Sequence, residues 1–474
     1  MTKLITIDPV TRIEGHSRIT IRLDEHGEVD IARLHITQFR GFEKFVEGRP
    51  FQEMPSLTAR TCGICPISHL LASAKACDEI MAVRIPESAA MLRRLINYAQ
   101  IIQSHALSFF HLSSPDLLLG MDSDPALRHI LGVAAKFPEL AKDGIWLRKF
   151  GQQIIELTSG KRIHPSWIVP GGVNQALSPE ARDAIVVQLS QALAIARKTL
   201  DWFKPVISRF QDEIDSFANF PSLFMALVSP DGTIEHYDGS IRIVDAQRRI
   251  VADQIAACDY ADTIGEAVEA DSYLKSPYFK LLGYPQGIYR VGPLARLNVC
   301  ERLGTPLAES ELGQFRALQP DGAVLSSFHY HCARLIEILH ALERVGELLA
   351  APEILGMPVR AIANPNKREG IGVSEAPRGT LIHHYRIDDN GLISWANLII
   401  ATGHNNLAMN RGITQVAKRF VKAAKISEGA LNRVEAVIRC FDPCLSCSTH
   451  ALGQMMLRIE LVDPAGEMLD CCER

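Results

Sequence analysis

Two short stretches decide how this chain must fold. The first is Arg60-Thr61-Cys62-Gly63-Ile64-Cys65-Pro66-Ile67-Ser68-His69, and the second is Asp442-Pro443-Cys444-Leu445-Ser446-Cys447-Ser448-Thr449-His450. In each, two cysteines stand three residues apart, so one tight turn can aim both thiolates at one ion; Gly63 eases the backbone through the first. Two such turns make a four-thiolate site suited to zinc, iron or another transition metal that accepts sulfur. Zinc ribbons place their two pairs about 15–20 residues apart. Here the pairs lie near opposite ends of the chain, which suits a buried catalytic centre better than a local structural zinc staple, though both readings stay open on spacing alone. His69 and His450 follow the pairs, and Arg60 and Asp442 flank them.

Around these motifs the pattern is mixed. Ile19, Ile21 and Leu23, a turn at Asp24-Glu25-His26-Gly27, then Val29, Ile31 and Leu34 predict a β-hairpin. Apolar residues at helical spacing predict a helix from about Glu87 to Leu112 and another over Phe328–Leu349. Ser178-Pro179 opens a third, expected to reach about Ile214 with a kink or break at Pro205. Leu227-Val228 with Ile241–Ile243, and Leu381–Ile387 with Leu392–Ile400 around Asp389-Asn390-Gly391, predict further hairpins. Met456–Leu461 alternates like an edge strand. The expected class is α+β, a central bundle of long helices with small peripheral sheets.

Composition narrows the function. Fifty Lys and Arg against 54 Asp and Glu leave a net charge of −4, which argues against a nucleic-acid partner. The start, MTKLITIDPV, lacks a signal-peptide core, and no apolar run of 18 residues predicts a membrane span, so a cytoplasmic setting is expected. Eleven cysteines then read as ligands or buried apolar residues, not a disulfide framework. The seven outside the two pairs are expected to be mostly buried, and His105 and His111 to be satisfied core histidines.

With R-x-C-G-x-C-x-x-x-H and D-P-C-x-x-C-x-x-H in place, the chain resembles the large subunit of [NiFe] hydrogenases. Arg12-Ile13-Glu14-Gly15-His16, Arg40-Gly41-Phe42-Glu43 and Glu375-Ala376-Pro377-Arg378-Gly379 extend the likeness over residues 7 to 474. The resemblance implies that Cys62, Cys65, Cys444 and Cys447 hold nickel. It implies that Cys65 and Cys447 bridge to an iron carrying CO and two cyanides. Glu14 is then the first proton relay beside the catalytic thiolate Cys444, and Arg378 lies over the open edge of the metals. Pro377 stands beside the diatomic ligands and Thr402 bonds a cyanide. Asp116 and Asp442 lie near Arg378, and His69 borders the thiolates. Glu43, His450 and the carbonyl of Leu398 are implied magnesium ligands. Heterolytic H₂ splitting asks for such a set: an electrophile, a base, a carboxylate to remove the proton, and a fixed cation.

The stretches His164–Val173 and Phe109–Asp116 resemble cytoplasmic bidirectional enzymes, the NAD-reducing type above all. No G-x-G-x-x-G motif and no ferredoxin-like cysteine run is present. Electrons are therefore expected to leave through a small subunit with an Fe–S cluster to diaphorase subunits carrying Fe–S clusters, FMN and NAD. Alternatives are a cytoplasmic hydrogenase serving NADP or a heterodisulfide reductase, and a four-thiolate zinc protein; the quinone-site subunit of respiratory complex I lacks these thiolates. The resemblance also implies a single unit over 1–450, and an extension, 451–474, that a C-terminal maturation endopeptidase removes after His450.

Overall fold

The computed structural model describes residues 4–270, 272–422 and 427–450, and beyond these the backbone of 458–462 and 468–473. The N-terminal hairpin forms as the alternation predicts and gains a third strand. Strands β1 (Leu4–Ile7), β2 (Ser17–Leu23) and β3 (Val29–Ile36) make an antiparallel meander with Ile19 opposite Leu34 and Ile21 opposite Ala32. Asp24 Oδ1 closes the turn by accepting from the backbone N–H groups of His26 and Glu28, both at 2.9 Å.

Seven longer helices carry most of the core: α1 (Pro66–Met81), α2 (Glu87–Leu107), α3 (Pro138–Ser159), α4 (Pro179–Ile207), α5 (Tyr330–Ala350), α6 (Asn406–Phe420) and α7 (Glu428–Phe441). Helix α2 is central, packed against α3 and α5, while α5 also packs on α4. The outer edge of β3 lies on α6. There Thr414 Oγ1 and Asn410 Oδ1 accept the N–H groups of Ala32 and Leu34, so that edge is not left bare.

Two helices differ from expectation. Helix α2 ends at Leu107 and continues to Leu119 as widened π-helical turns, Ser108–Ser113 and Pro115–Leu119. Pro115 offers no N–H and its ring crowds the preceding turn, which a widened turn accommodates. Helix α4 starts where Ser178 predicts, with Ser178 Oγ accepting from the Ala181 N–H at 3.1 Å, but it runs unbroken through Pro205 and stops at Ile207. Pro205 sits in the last turn, and a separate short helix, Gln211–Ser216, follows.

Strands β4 (Leu223–Val228) and β5 (Ser240–Val244) pair as expected in a four-stranded sheet. Strands β6 (Glu369–Ala376), β7 (Gly379–Ile387) and β8 (Ile393–Ile399) form another, and α1 lies directly on β6. Glycine makes that approach possible: a Cβ on Gly372 would stand 1.9 Å from the Ala72 carbonyl oxygen, and one on Gly370 would stand 2.1 Å from that of Ala76. The contact brings the N-terminus of α1, with its cysteine pair, to the β6–β7 turn. The alternating segment expected over Met456–Leu461 is strand from Arg458 to Val462, paired with Met468–Glu473; Met456 and Leu457 lie outside the described residues. The α+β class holds. Among the described residues, no helix is long and apolar enough to cross a membrane.

Candidate metal centre

Both cysteine pairs sit at helix starts. Cys62 and Cys65 fill the turn into α1, with Pro66 at the first helical position. Helix α7 stops at Asp442, in the left-handed region (φ 53°), and the chain then reverses into the short helix Leu445–Ser448 behind Cys444. The sulfurs converge: Cys62 to Cys444 3.3 Å, Cys65 to Cys447 3.6 Å and Cys444 to Cys447 2.7 Å. All four lie within 4.8 Å of one another and are buried, the one group of three or more His, Cys, Asp or Glu side chains among the described residues placed to share an ion. The N–H groups of Ile64 and Cys65 point at Cys62 Sγ from 3.2 and 3.3 Å. Hydrogen bonds from Cys444 and Cys447 pull Cys65 well below the usual thiol range, whereas burial pushes Cys444 and Cys447 well above it. Burial thus disfavours charge on Cys444 and Cys447, and all four sulfurs could be held as thiolates only with a cation between them.

The donor set fits a transition metal that accepts sulfur. Beside Cys65, Cys444 and Cys447 lies a small cavity of about 10 Å³, lined also by His69, Pro377, Arg378, Leu381 and Thr402. It opens on one side of the sulfurs and is about the size of one water molecule. Pro377 and Arg378 form the two-residue turn between β6 and β7, where Ala376 pairs with Gly379. Arg378 is buried and donates from Nε to the Asp442 carbonyl (2.5 Å) and from Nη2 to Asp442 Oδ1 (3.2 Å). Against the cost of burial, the charges of Asp442, Cys444, Cys65 and Cys62 hold its guanidinium protonated. Thr402 Oγ1 accepts the Cys444 N–H at 2.9 Å, leaving its own O–H to donate. His69 Nδ1 meets His383 Nε2 at 3.1 Å.

Glu14 reaches the site from outside. Its Oε2 lies 3.1 Å from Cys444 Sγ and accepts the Ser446 N–H at 3.0 Å, and its carbonyl accepts the Leu445 N–H at 3.1 Å. It is half-buried, so it links the thiolate to the exterior. A Cβ on Gly15 (φ +90°) would stand 2.7 Å from Leu445 Cβ, which explains the glycine there.

Asp116 forms ion pairs with Arg12 (2.6 Å), Arg439 (2.8 Å) and, at longer range, Arg128 (3.7 Å), while Asp442 is the carboxylate that pairs with Arg378. Of the implied magnesium ligands, Glu43 is brought to the final motif as the Arg40 and Gly41 N–H groups donate to the Thr449 carbonyl. His450 is buried, with its ring beside the Cys447 backbone. Leu398, however, meets Glu43 through its N–H (2.8 Å to Oε1), and Lys275 Nζ already stands 2.8 Å from the same oxygen. Lys275 has no motif to announce it.

A second group that the sequence does not announce braces Arg378. Arg296 grips Glu337 with two bonds of 2.6 Å, donates to Glu375 Oε2 at 2.6 Å, and reaches the carbonyls of Ala376 (3.0 Å) and Pro377 (3.1 Å). His105 Nε2 completes it, 2.7 Å from Glu337 Oε2, though its Nδ1 has no partner among the described residues; His111 is only half-buried. Of the other cysteines, Cys77, Cys300, Cys332 and Cys440 are buried, Cys258 is exposed, and the side chains of Cys471 and Cys472 lie outside the described residues.

The fold and the four-sulfur site together define a class. Residues 40–123 and 229–450 match the nickel-dependent hydrogenase family model and residues 4–39 match a HoxL-like model. The chain belongs to the nickel-dependent hydrogenases, as a large subunit of the [NiFe] kind. It is 44% identical to the NAD-reducing hydrogenase HoxS subunit beta of Cupriavidus necator, over 99% of each chain. It is 43% identical to a chain of the F420-non-reducing hydrogenase vhu of Methanococcus voltae, over 88% of this chain and 99% of that one. A crystal structure of an NAD⁺-reducing [NiFe]-hydrogenase in the H₂-reduced state superposes with a TM-score of 0.92, at 44% identity, over 95% of this chain and all of the other. The structural-zinc reading is not favoured.

Proposed function

We propose that this chain is the hydrogen-splitting subunit of a cytoplasmic NAD-reducing hydrogenase. The observation that carries the proposal is the convergence of four buried sulfurs with a half-buried carboxylate 3.1 Å from one of them. Cys62, Cys65, Cys444 and Cys447 would hold nickel, and Cys65 and Cys447 would also hold an iron with CO and cyanide ligands on the side of the adjoining cavity. That group supplies the electrophile for heterolytic H₂ cleavage. The protein's own part is the proton and the field. Cys444 Sγ accepts the proton, Glu14 takes it outward, and Arg378 supplies a cation that does not titrate near neutrality. Thr402 offers its O–H to a ligand beside Pro377, with His69 and Asp442 completing the wall.

Glu43, His450 and the Leu398 carbonyl would hold magnesium; the burial of the His450 ring favours this, and Lys275 competes for Glu43. Electrons would pass to a small subunit with an Fe–S cluster and on to diaphorase subunits with flavin and NAD, as the likeness to HoxS subunit beta suggests. Residues 1–450 would be the mature unit, with 451–474 removed by a maturation endopeptidase. The test is Cys65→Ala in the full assembly, read by metal analysis. Nickel and iron are expected to disappear together; normal content of either overturns the shared site. Co-purification of flavin and Fe–S subunits checks the acceptor.

A further inference from the structure

Glu14 is two residues from Arg12, whose backbone is in the left-handed region (φ 57°), a strained conformation for a non-glycine residue that persists only where its surroundings hold it. The surroundings here are explicit. Arg12 Nη2 donates to Asp116 Oδ1 at 2.6 Å and Nη1 to the Leu112 carbonyl at 2.9 Å. The other carboxylate oxygen, Asp116 Oδ2, takes Arg439 Nη1 at 2.8 Å. Arg439 in turn donates from Nε to the Thr11 carbonyl (3.1 Å) and from Nη2 to Glu435 (2.9 Å), and Glu435 Oε1 accepts the Thr11 N–H at 2.6 Å. Thr11 and Arg12 are thus pinned on one side of Glu14 and Gly15 on the other. Asp116 itself is delivered by the π-helical turn after α2, rooted in the core.

We propose that Asp116 is a positioning residue that acts through Arg12 and Arg439 to aim Glu14 at Cys444. The role rests on Glu14 being the proton relay. It differs from a place over the metals, because Asp116 pairs with neither Arg378 nor a sulfur. Asp116 is buried, so its two guanidinium bonds are little screened by water.

The experiment uses the nickel-loaded assembly with Asp116→Asn, which keeps the size but removes the charge that both arginines share. Two readouts are taken. Amide hydrogen exchange at Leu445 and Ser446, whose N–H groups donate to Glu14, is expected to speed up by about tenfold as the loop loosens. H₂/D₂O isotope exchange is expected to slow by about tenfold, with nickel, iron and the infrared bands of the diatomic ligands unchanged. In a merely structural role the losses in Asp116→Asn and Glu14→Gln would multiply; if Asp116 works through Glu14, the double variant is no slower than Glu14→Gln alone. Multiplying losses, or unaltered protection at Leu445 and Ser446, overturn the proposal. Should Asp116→Asn not assemble, Arg12→Lys is read in the same way, since it keeps the charge but not both contacts. Wild-type isotope exchange in Glu14→Gln sinks the relay reading itself, and amide exchange then still decides whether the clamp exists.

Discussion

The sulfur site is braced from two sides by arginine–carboxylate clusters, both buried at their centres, that differ at their outer edges. Behind the Pro377–Arg378 turn, the side chains of Arg296, Glu337 and Glu375 have no exposure at all. Behind the Glu14 loop, the side chain of Arg12 is 16% exposed and Glu14 itself is half-buried. Both clusters fix a short, strained or tight piece of backbone that carries one working side chain. The dry brace serves a charge that must stay put. The wetter one serves Glu14, the carboxylate proposed to carry the proton outward. Cys444 stands between them, with Glu14 on one side and Thr402 on the other.

The largest effect is expected from breaking the dry brace. Arg296→Met leaves Glu337 and Glu375 buried without their shared partner, and removing one member of a buried ion group costs about 3–5 kcal/mol. The denaturant midpoint should fall accordingly, and H₂ oxidation should fall with it because the carbonyls of Ala376 and Pro377 lose their anchor. A stability within about 1 kcal/mol of wild type would show that the two braces do not differ as argued.

A smaller effect is expected from the dry face of Cys444 alone. Thr402→Val keeps the shape but removes the acceptor of the Cys444 N–H, leaving a buried donor unsatisfied at a cost of about 1–3 kcal/mol. Nickel retention on dialysis against a chelator should weaken, with isotope exchange falling in step with the nickel that remains. Loss of exchange with full nickel retention would mean that Thr402 belongs functionally to the Glu14 side.

Much of this is legible in the sequence, for a physical reason. A C-x-x-C turn, an N-cap serine before proline and an alternating hairpin are local patterns whose consequences lie within a few residues. The two cysteine pairs, α4's start at Ser178 and the β2–β3 hairpin are of that kind. The braces are not. Arg296, Glu337 and Glu375 come from three separate elements, Lys275 meets Glu43 from a hairpin 232 positions away, and a lone charged residue has no period or neighbour that names its partner. The motif around Asp116 flags the residue but does not name its partners, because Arg12 and Arg439 come from opposite ends of the chain.

Acid should separate the two sides most gently. In the dry brace, burial lowers His105 to about 4, only partly offset by Glu337. An unfolded histidine titrates near about 6.5. Between those values the unfolded chain binds a proton that the folded one refuses, so the contribution is complete above pH 6.5 and is lost as pH falls toward 4. At pH 5.5, His105 alone should account for about 1.4 kcal/mol of lost stability relative to pH 7.5. The wetter brace behaves otherwise. Arg439 and Arg12 overcome burial to hold Asp116 below the usual aspartate range, so its contribution is present above about pH 4 and fades only below it. Between pH 7.5 and 5.5 Asp116 is silent. Unfolding free energies at those two pH values in wild type and His105→Gln test the difference, since glutamine can still donate to Glu337 but does not titrate. The pH-dependent loss is expected to shrink by about 1.4 kcal/mol in the variant. An unchanged loss would mean that His105 is not held neutral, and that the dry brace admits a proton as readily as the wet one.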